Sequence, residues 1–496
     1  MNSRQVEFSS ISRDYRRLER LISKAQHSSG KKRKRYADRA VKFASRSSSG
    51  ILASSELEEL YLEFSRSIRS PKMNADYEPS TTLHVMSKAF ATGGHTRVVE
   101  RWVSASEDGY HSVALTAMGT KKLPPSFRSA FEREGFKIYS LNSIWSDFKK
   151  ASRLRELASR FERIVLHVHP NDTIPLLAFG VEEFQRPVVL YNHADHLFSV
   201  GFSIADLVAE TRHWGRDISR DQRGITHNMV LGIPVDVDNL NLRHNRSEYR
   251  RKLGFSEETK LIVSAGPPYK YAQFGEQEFG RVINEILNQN QSAIFICVGP
   301  KMQDVEQWED YFLDKRDRFK LKGYTLPHEL NELIAACDLY IDSFPAGGGT
   351  ILQDVATIGV PCLVTNCVTG HLASVLGTAA YCKDEKELIR KAKHILSHEN
   401  VAKKNVDEFR DLFSIDLQGN SWKKKVEGMH NLLVESHKTH QLLSVIEPIV
   451  NDLAKFRLIS LNQKRLLFAF GFFEVFQHMD FGIRRFSLKL RFPWVR

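Results

Sequence analysis

The residues best suited to chemistry in this 496-residue chain concentrate in one stretch, Asp338 to Asp354, followed by Gly359-Val-Pro-Cys-Leu-Val364. Leu339 to Ile341 read as a short apolar strand. Gly347, Gly348 and Gly349 then give a turn without Cβ atoms, so another molecule can come close to the backbone. Thr350 opens a predicted helix, where free N–H groups and the helix dipole favour an anion. Asp354 follows four residues on, one turn along the same face, and suits a sugar hydroxyl. Phosphate at the turn and a hydroxyl at the carboxylate together point to a nucleotide. A second cluster, Tyr191-Asn-His-Ala-Asp-His196, ends another apolar run. Its imidazoles and carboxylate could accept a proton, contact a hydroxyl or hold a metal ion. His167 and His169 alternate along a neighbouring run and would shape the same cleft.

Residues 1–78, the first of four predicted regions, are polar, basic and helix-prone. Leu57, Leu60, Tyr61 and Phe64 recur at helical spacing, and the charge run Lys31-Lys-Arg-Lys-Arg35 reads as a solvated helical face. From about residue 80 strands and helices alternate, which argues for parallel sheets covered by helices. In region 79–235 the strands are Leu83–Met86, His111–Leu115, Phe136–Leu141, Arg163–His169 and Pro187–His193. Their continuous apolar runs suit central parallel strands. Gly232 to about Asn245 reads as a linker. Region 236–440 repeats the alternation, with strands at Leu261–Gly266, Ala293–Gly299, Phe319–Gly323, Leu339–Ile341 and Cys362–Val364, then closing helices over Glu385–His398 and Val401–Ser436. Region 441–496 is a helical, basic-aromatic tail. There Arg484, Arg485, Lys489, Arg491 and Arg496 interleave with Phe486, Leu488, Leu490, Phe492 and Trp494, a mixture suited either to an anionic membrane surface or to a fold-back helix.

The hydrophobic fraction of 42% and charged fraction of 26% are those of a globular protein. A net charge of +12 points to an anionic partner. No aromatic residues interleave with the Lys31–Arg35 run, so nucleic acid is not the expected partner. All five cysteines fall in the second half without metal-type spacing and read as buried thiols of a reducing compartment. Neither a secretory signal nor an apolar span of about 18 residues is evident, so a cytoplasmic location is expected.

The 338–364 stretch resembles the donor site of GT-B glycosyltransferases, closest to the O-GlcNAc transferase group, whose pattern is Asp, a Pro, a Gly-rich turn, Thr, then Asp before an apolar-Gly-x-Pro segment. The resemblance spans roughly residues 80–380. It implies an α/β fold of two Rossmann-like domains facing a cleft, with Thr350 and the turn Gly348-Gly349 at the diphosphate of a UDP-sugar and Asp354 at the ribose. Where the family often has two adjacent threonines, this chain has Thr350-Ile351. Gly266-Pro-Pro-Tyr-Lys270 resembles the family segment whose lysine pairs with the diphosphate, so Lys270 would neutralise the departing nucleotide. Thr325, in Gly323-Tyr-Thr-Leu-Pro-His328, falls in the loop that reads the uracil with backbone groups. Gly93-Gly94-His95-Thr-Arg97 resembles the first loop facing the donor, which makes His95 the candidate base. Asp195 and His193 are rivals for that role, and Asn192, His193 and His169 are acceptor or cleft candidates; the segment from Ile204 to Arg212 resembles bacterial polysaccharide glycosyltransferases.

The resemblance implies transfer from a nucleotide-sugar, with UDP leaving, to a glycan or lipid-linked acceptor in bacterial surface polysaccharide synthesis. The UDP-sugar is a substrate, and no cofactor or metal is expected because the GT-B group generally works without one. Retaining GT-B enzymes usually carry a glutamate repeated eight positions on; here those positions are Ala346 and Asp354, which favours inversion. Two alternatives are a protein glycosyltransferase of the O-GlcNAc transferase type and a non-catalytic nucleotide-sugar-binding module. The tail adds an expected peripheral position at the inner face of the plasma membrane.

Overall fold

The computed structural model describes residues 3–69, 76–90, 94–106, 109–365, 367, 377–413 and 421–435. Seven parallel strands form the first sheet: β1 (Glu78–Met86), β2 (Tyr110–Leu115), β3 (Lys137–Ser140), β4 (Phe161–His167), β5 (Val188–Asn192), β6 (Leu207–Glu210) and β7 (Asn228–Val230). Six form the second: β8 (Lys260–Ala265), β9 (Ala293–Val298), β10 (Phe319–Gly323), β11 (Leu339–Ile341), β12 (Cys362–Thr365) and β13 (Tyr381–Cys382). The first sheet runs β3-β2-β1-β4-β5-β6-β7 and the second β10-β9-β8-β11-β12-β13. Strand order therefore reverses between β1 and β4 and again between β8 and β11. In open parallel sheets, ligands bind beyond the C-terminal strand ends at such reversals.

The apolar runs form the central strands because each is covered on both faces. Residues Leu261 to Val263 and Leu339 to Ile341 are fully buried. The aromatic side chains of Phe279, Phe295, Trp308 and Phe319 pack on one another edge-on, tilted or stacked, in the same core as Ile262, Leu339 and Ile341. Burying one such side chain contributes roughly 1.5–3 kcal/mol.

The N-terminal region folds into three helices, Ser3–Gln26, Gly30–Ala44 and Ser55–Arg66. They share one core with the first sheet, in which Leu18, Leu57, Leu60 and Tyr61 join Leu83, Leu166 and Leu177. Ser54 caps the third helix by accepting from the Leu57 N–H. The charge run departs from a uniformly solvated face. Lys34 is buried, ion-paired with Asp38 at 2.5 Å and Asp147 at 3.1 Å, because its position on the helix turns toward the first lobe.

The expected linker is a packed 3-10 segment at Val237–Asn245, held because Asn239 donates to Asp354 and accepts from Asn331. Closing helices occupy Glu385–Ser397, Glu399–Leu412 and Ser421–Glu435. The last returns to the first lobe, where Trp422 meets Trp102 edge-on at 5.2 Å. All five cysteines are buried and none is in a disulfide, as expected. Among the described residues no helix is long and apolar enough to cross a membrane. The basic-aromatic tail lies outside the described residues.

Candidate functional site

The C-terminal edges of the two sheets meet. Gly94 opens the helix Gly94–Ala105 that follows β1, and Thr350 opens Thr350–Ile358 after β11. A Cβ on Gly94 would stand 3.3 Å from the Thr350 methyl group. These two predicted donor residues, one from each sheet, are therefore neighbours across the cleft.

The glycine turn before Thr350 is built by Asp342, which sequence reasoning had passed over. Its carboxylate accepts the Gly348 N–H at 2.9 Å from both oxygens. A Cβ on Gly348 would collide with Ile351 Cγ2 at 2.5 Å and Asp342 Oδ1 at 2.7 Å, whereas a Cβ on Gly349 would meet open space. Gly348 is thus required by packing, and Gly349 faces the open side of the turn. Burial pushes the Asp342 carboxyl up to about 6, against the pull of Lys270 and the Gly348 N–H. Lys270 sits on the turn Pro268–Tyr271 after β8 and donates to the Gly347 carbonyl at 2.8 Å. Its ammonium is held below the usual lysine range by burial, which Asp342 partly offsets.

Thr325, placed by sequence at the base-reading loop, lies just beyond β10. Its hydroxyl is buried and has no hydrogen-bond partner among the described residues. The loops after β8, β9 and β10 converge there. Gly299 has a φ of 116° and donates to the Gly323 carbonyl, and a Cβ on it would overlap the Gly266 carbonyl oxygen at 2.1 Å.

Asp354 is placed at the cleft, but its carboxylate is occupied. Arg97 Nη1 lies 3.0 Å from one oxygen and Arg101 Nη2 2.5 Å from the other. Asp354 is 1% exposed, so this is a buried clamp between the lobes. A ribose hydroxyl would have to share a carboxylate already held by two guanidinium groups. The arginines carried a sequence signal, because they recur four residues apart on the helix that opens from the first Gly-rich loop.

On the first lobe, Asp195 is bound bidentately by Arg212, with Nε to Oδ2 at 2.6 Å and Nη2 to Oδ1 at 2.8 Å. Burial works to raise its pKa, but Arg212 and His196 hold it far below the usual carboxylate range. A carboxylate so stabilised is a poor proton acceptor. Asn192 donates its amide to Glu210 at 3.0 Å, and burial pushes Glu210 up to about 7. His95 stacks on His193 with ring centroids 4.0 Å apart and meets His169 edge-on at 5.9 Å. Burial, with His169 nearby, lowers His95 to about 4, so its ring is neutral at ordinary pH. His169 lies beyond the end of β4 rather than within it, where its N–H donates to Ser87 Oγ. His167, in the strand, points into a row of histidines instead of lining the cleft with His169. His84 and His111 belong to that row and were not singled out in the sequence, since each sits inside an apolar strand.

The site thus brings together Gly94, His95, His169, His193 and Asp354 with the Lys270 and Gly348–Thr350 group. A separate cavity of about 830 Å³ lies between the N-terminal helices and the first lobe. Glu56, Glu58, Glu59 and Glu63 line it together with Arg33 and Arg220. Among the described residues no cluster of His, Cys, Asp and Glu is arranged to hold a metal ion.

No protein-family model and no curated protein sequence matches the chain. Solved structures do. HepE of Anabaena, crystallised in complex with UDP-glucose, superposes with a TM-score of 0.53 at 14% identity, over 71% of this chain and 99% of its own. The same protein in complex with UDP gives 0.53 at 15% identity, over 72% and 100%. A glycosyltransferase from Rickettsia africae gives 0.55 at 12% identity, over 72% and 99%. At these identities the likeness shows the fold, and the fold is GT-B.

Proposed function

We propose that this chain is a glycosyltransferase that takes a sugar from a nucleoside-diphosphate sugar, with UDP as the leaving group, and passes it to a glycan or lipid-linked acceptor. One observation carries the reading: Gly94 of the first lobe stands against Thr350, at the start of the helix that follows a glycine turn with Lys270 bonded to it. A helix N-terminus and an ammonium beside exposed turn backbone are what a departing diphosphate needs. The Thr325 hydroxyl, without a partner among the described residues, adds support, because a buried polar group left so costs roughly 1–3 kcal/mol until a ligand satisfies it. HepE, of the same fold, holds UDP-glucose, which agrees with this choice of donor.

In this reading the acceptor hydroxyl attacks the anomeric carbon while a neutral imidazole, His95 or the His193 stacked on it, takes its proton. Lys270 and the Thr350 helix end meet the charge that grows on the leaving UDP. Inversion at the anomeric carbon follows from the absence of the first glutamate at Ala346. We place the acceptor in bacterial surface polysaccharide synthesis, with the protein in the cytoplasm and peripheral at the membrane through its tail.

The test is UDP release from a panel of UDP-sugars by the native chain, His95→Ala and Lys270→Ala. Turnover that falls in both variants while UDP still binds His95→Ala supports the assignment. UDP binding without turnover on any UDP-sugar would instead make the chain a nucleotide-sugar-binding module. Proton NMR of a fresh product showing a retained anomeric configuration would remove inversion.

A further inference from the structure

Four histidines, three on adjacent strands and one just beyond the end of a fourth, form a continuous hydrogen-bonded row. His111 Nδ1 lies 2.9 Å from His84 Nε2, His84 Nδ1 lies 3.1 Å from His167 Nε2, and His167 Nδ1 lies 2.9 Å from His193 Nε2. They stand on β2 and β1, on β4, and just past the end of β5. His84, His111 and His167 are 0%, 5% and 1% exposed. One end, His193, stacks on His95 at the candidate site. The other, His111, lines a cavity of about 270 Å³ together with Arg163, Trp422 and His430.

The atom pairing carries information beyond packing. A neutral imidazole has one N–H and one bare nitrogen, and every contact here joins a δ1 nitrogen to an ε2 nitrogen. The row therefore satisfies itself in two ways only: all rings protonated at Nε2, or all at Nδ1. The two registers differ by one proton moved from end to end. Burial, reinforced by the neighbouring histidines, keeps His84 and His193 far below the usual imidazole range, and burial holds His111 at about 4 and His167 at about 3, so the rings are neutral. The groups packed around the row fit this. Trp102 meets His84 and His167 edge-on, Tyr191 lies against His167 and His193, and Phe136 meets His111. Arg163, Arg133 and His430 all disfavour charge on His111, and Glu162 is engaged by Arg163 at 2.7 Å.

We propose that His193, His167, His84 and His111 are a proton relay that leads from the glycosyl-transfer site to the cavity beside His430. The proposal rests on the glycosyltransferase reading, in which an acceptor hydroxyl gives up a proton in the cleft. In the relay the acceptor O–H bond breaks and its proton joins His193 Nδ1. The Nε2 proton of His193 passes to His167 Nδ1, that of His167 to His84 Nδ1, and that of His84 to His111 Nδ1. The His111 Nε2 proton leaves to water in the cavity. Four neutral rings precede the step and four follow it, with the register changed from ε2 to δ1. A proton that re-enters at His111 Nε2 and leaves from His193 Nδ1, once product has gone, restores the first register.

The test uses the full chain labelled with ¹⁵N-histidine, and no substrate is needed for its first arm. At pH 7 the four rings are expected to be neutral and to share one tautomer. An imidazolium among them, or neighbouring rings in opposed tautomers, would overturn the relay whatever the protein catalyses. The second arm follows UDP release by His111→Ala, expected to lose on the order of 100-fold in kcat with KM for the UDP-sugar unchanged. Added imidazole, entering the cavity, should restore kcat saturably without effect on the native chain. A loss that imidazole cannot restore would show a merely structural His111. An absence of turnover in the native chain counts against the glycosyltransferase reading, and the tautomers then decide the relay alone.

Discussion

Acidification should unfold the first lobe in a window where most proteins are stable, and the histidine row sets the magnitude. His95 and His111 are held at about 4 and His167 at about 3, with His84 and His193 also far below the ordinary imidazole value near 6.5. A lowered folded-state pKa contributes stability that is present above the unfolded value and lost as pH falls toward the folded one. Glu210, raised by burial to about 7, acts oppositely, since its contribution is full below the unfolded carboxyl value and lost as pH rises through 7. Five histidines less one carboxyl leave about four protons taken up on unfolding between pH 6 and 5, or roughly 5 kcal/mol of stability lost over that pH unit. Whole domains are stable by about 5–15 kcal/mol, so this loss decides whether the lobe is folded. Urea titrations at pH 8, 7, 6 and 5, followed by far-UV circular dichroism, measure it. The midpoint should hold between pH 8 and 7 and collapse between 6 and 5. A midpoint unchanged to pH 5 would refute the reasoning and mean that the rings carry charge in the folded state.

Three further outcomes follow from individual contacts. Replacing both Arg97 and Arg101 by Ala leaves the buried Asp354 without a guanidinium counter-charge and should cost about 3–5 kcal/mol in urea denaturation, with part regained on adding Asp354→Asn. Gly348→Ala should lower stability by about 1–3 kcal/mol, since its Cβ would strike Ile351 and Asp342, whereas Gly349→Ala should leave the melting temperature in place and weaken UDP binding in calorimetry. Thr325→Val removes a buried hydroxyl without a partner among the described residues, so the ligand-free protein should be as stable or more stable while its affinity for UDP falls.

The strands were legible because apolar runs long enough to cross a buried sheet are continuous in sequence, as in Leu261 to Ala265 and Ala293 to Val298. Leu207–Glu210, Asn228–Val230 and Tyr381–Cys382 escaped because runs of two to four residues carry little periodicity of their own, whereas the equally short Leu339–Ile341 was marked by the glycine turn that follows it. Thr350 as the start of a helix after a glycine turn was equally local and stands where expected. The partners of the charged residues were not local. Asp354 was placed by its offset from Thr350, yet the side chains that hold it come from Arg97 and Arg101 of the other lobe. Asp195 read as a candidate base because nothing nearby in sequence shows that Arg212 folds onto it. The histidine row is the extreme case. Its members come from three separate strands and the end of a fourth, so only sheet order and register bring them into line.

Titration calorimetry with UDP, GDP and CMP tests the central claim most directly, on the native chain and on Lys270→Ala and Thr350→Ala. The account predicts saturable binding of UDP in preference to the other two, weakened by both substitutions. Binding of GDP or CMP in its place would contradict the assignment of the base, and UDP binding untouched by either substitution would contradict the assignment of the site.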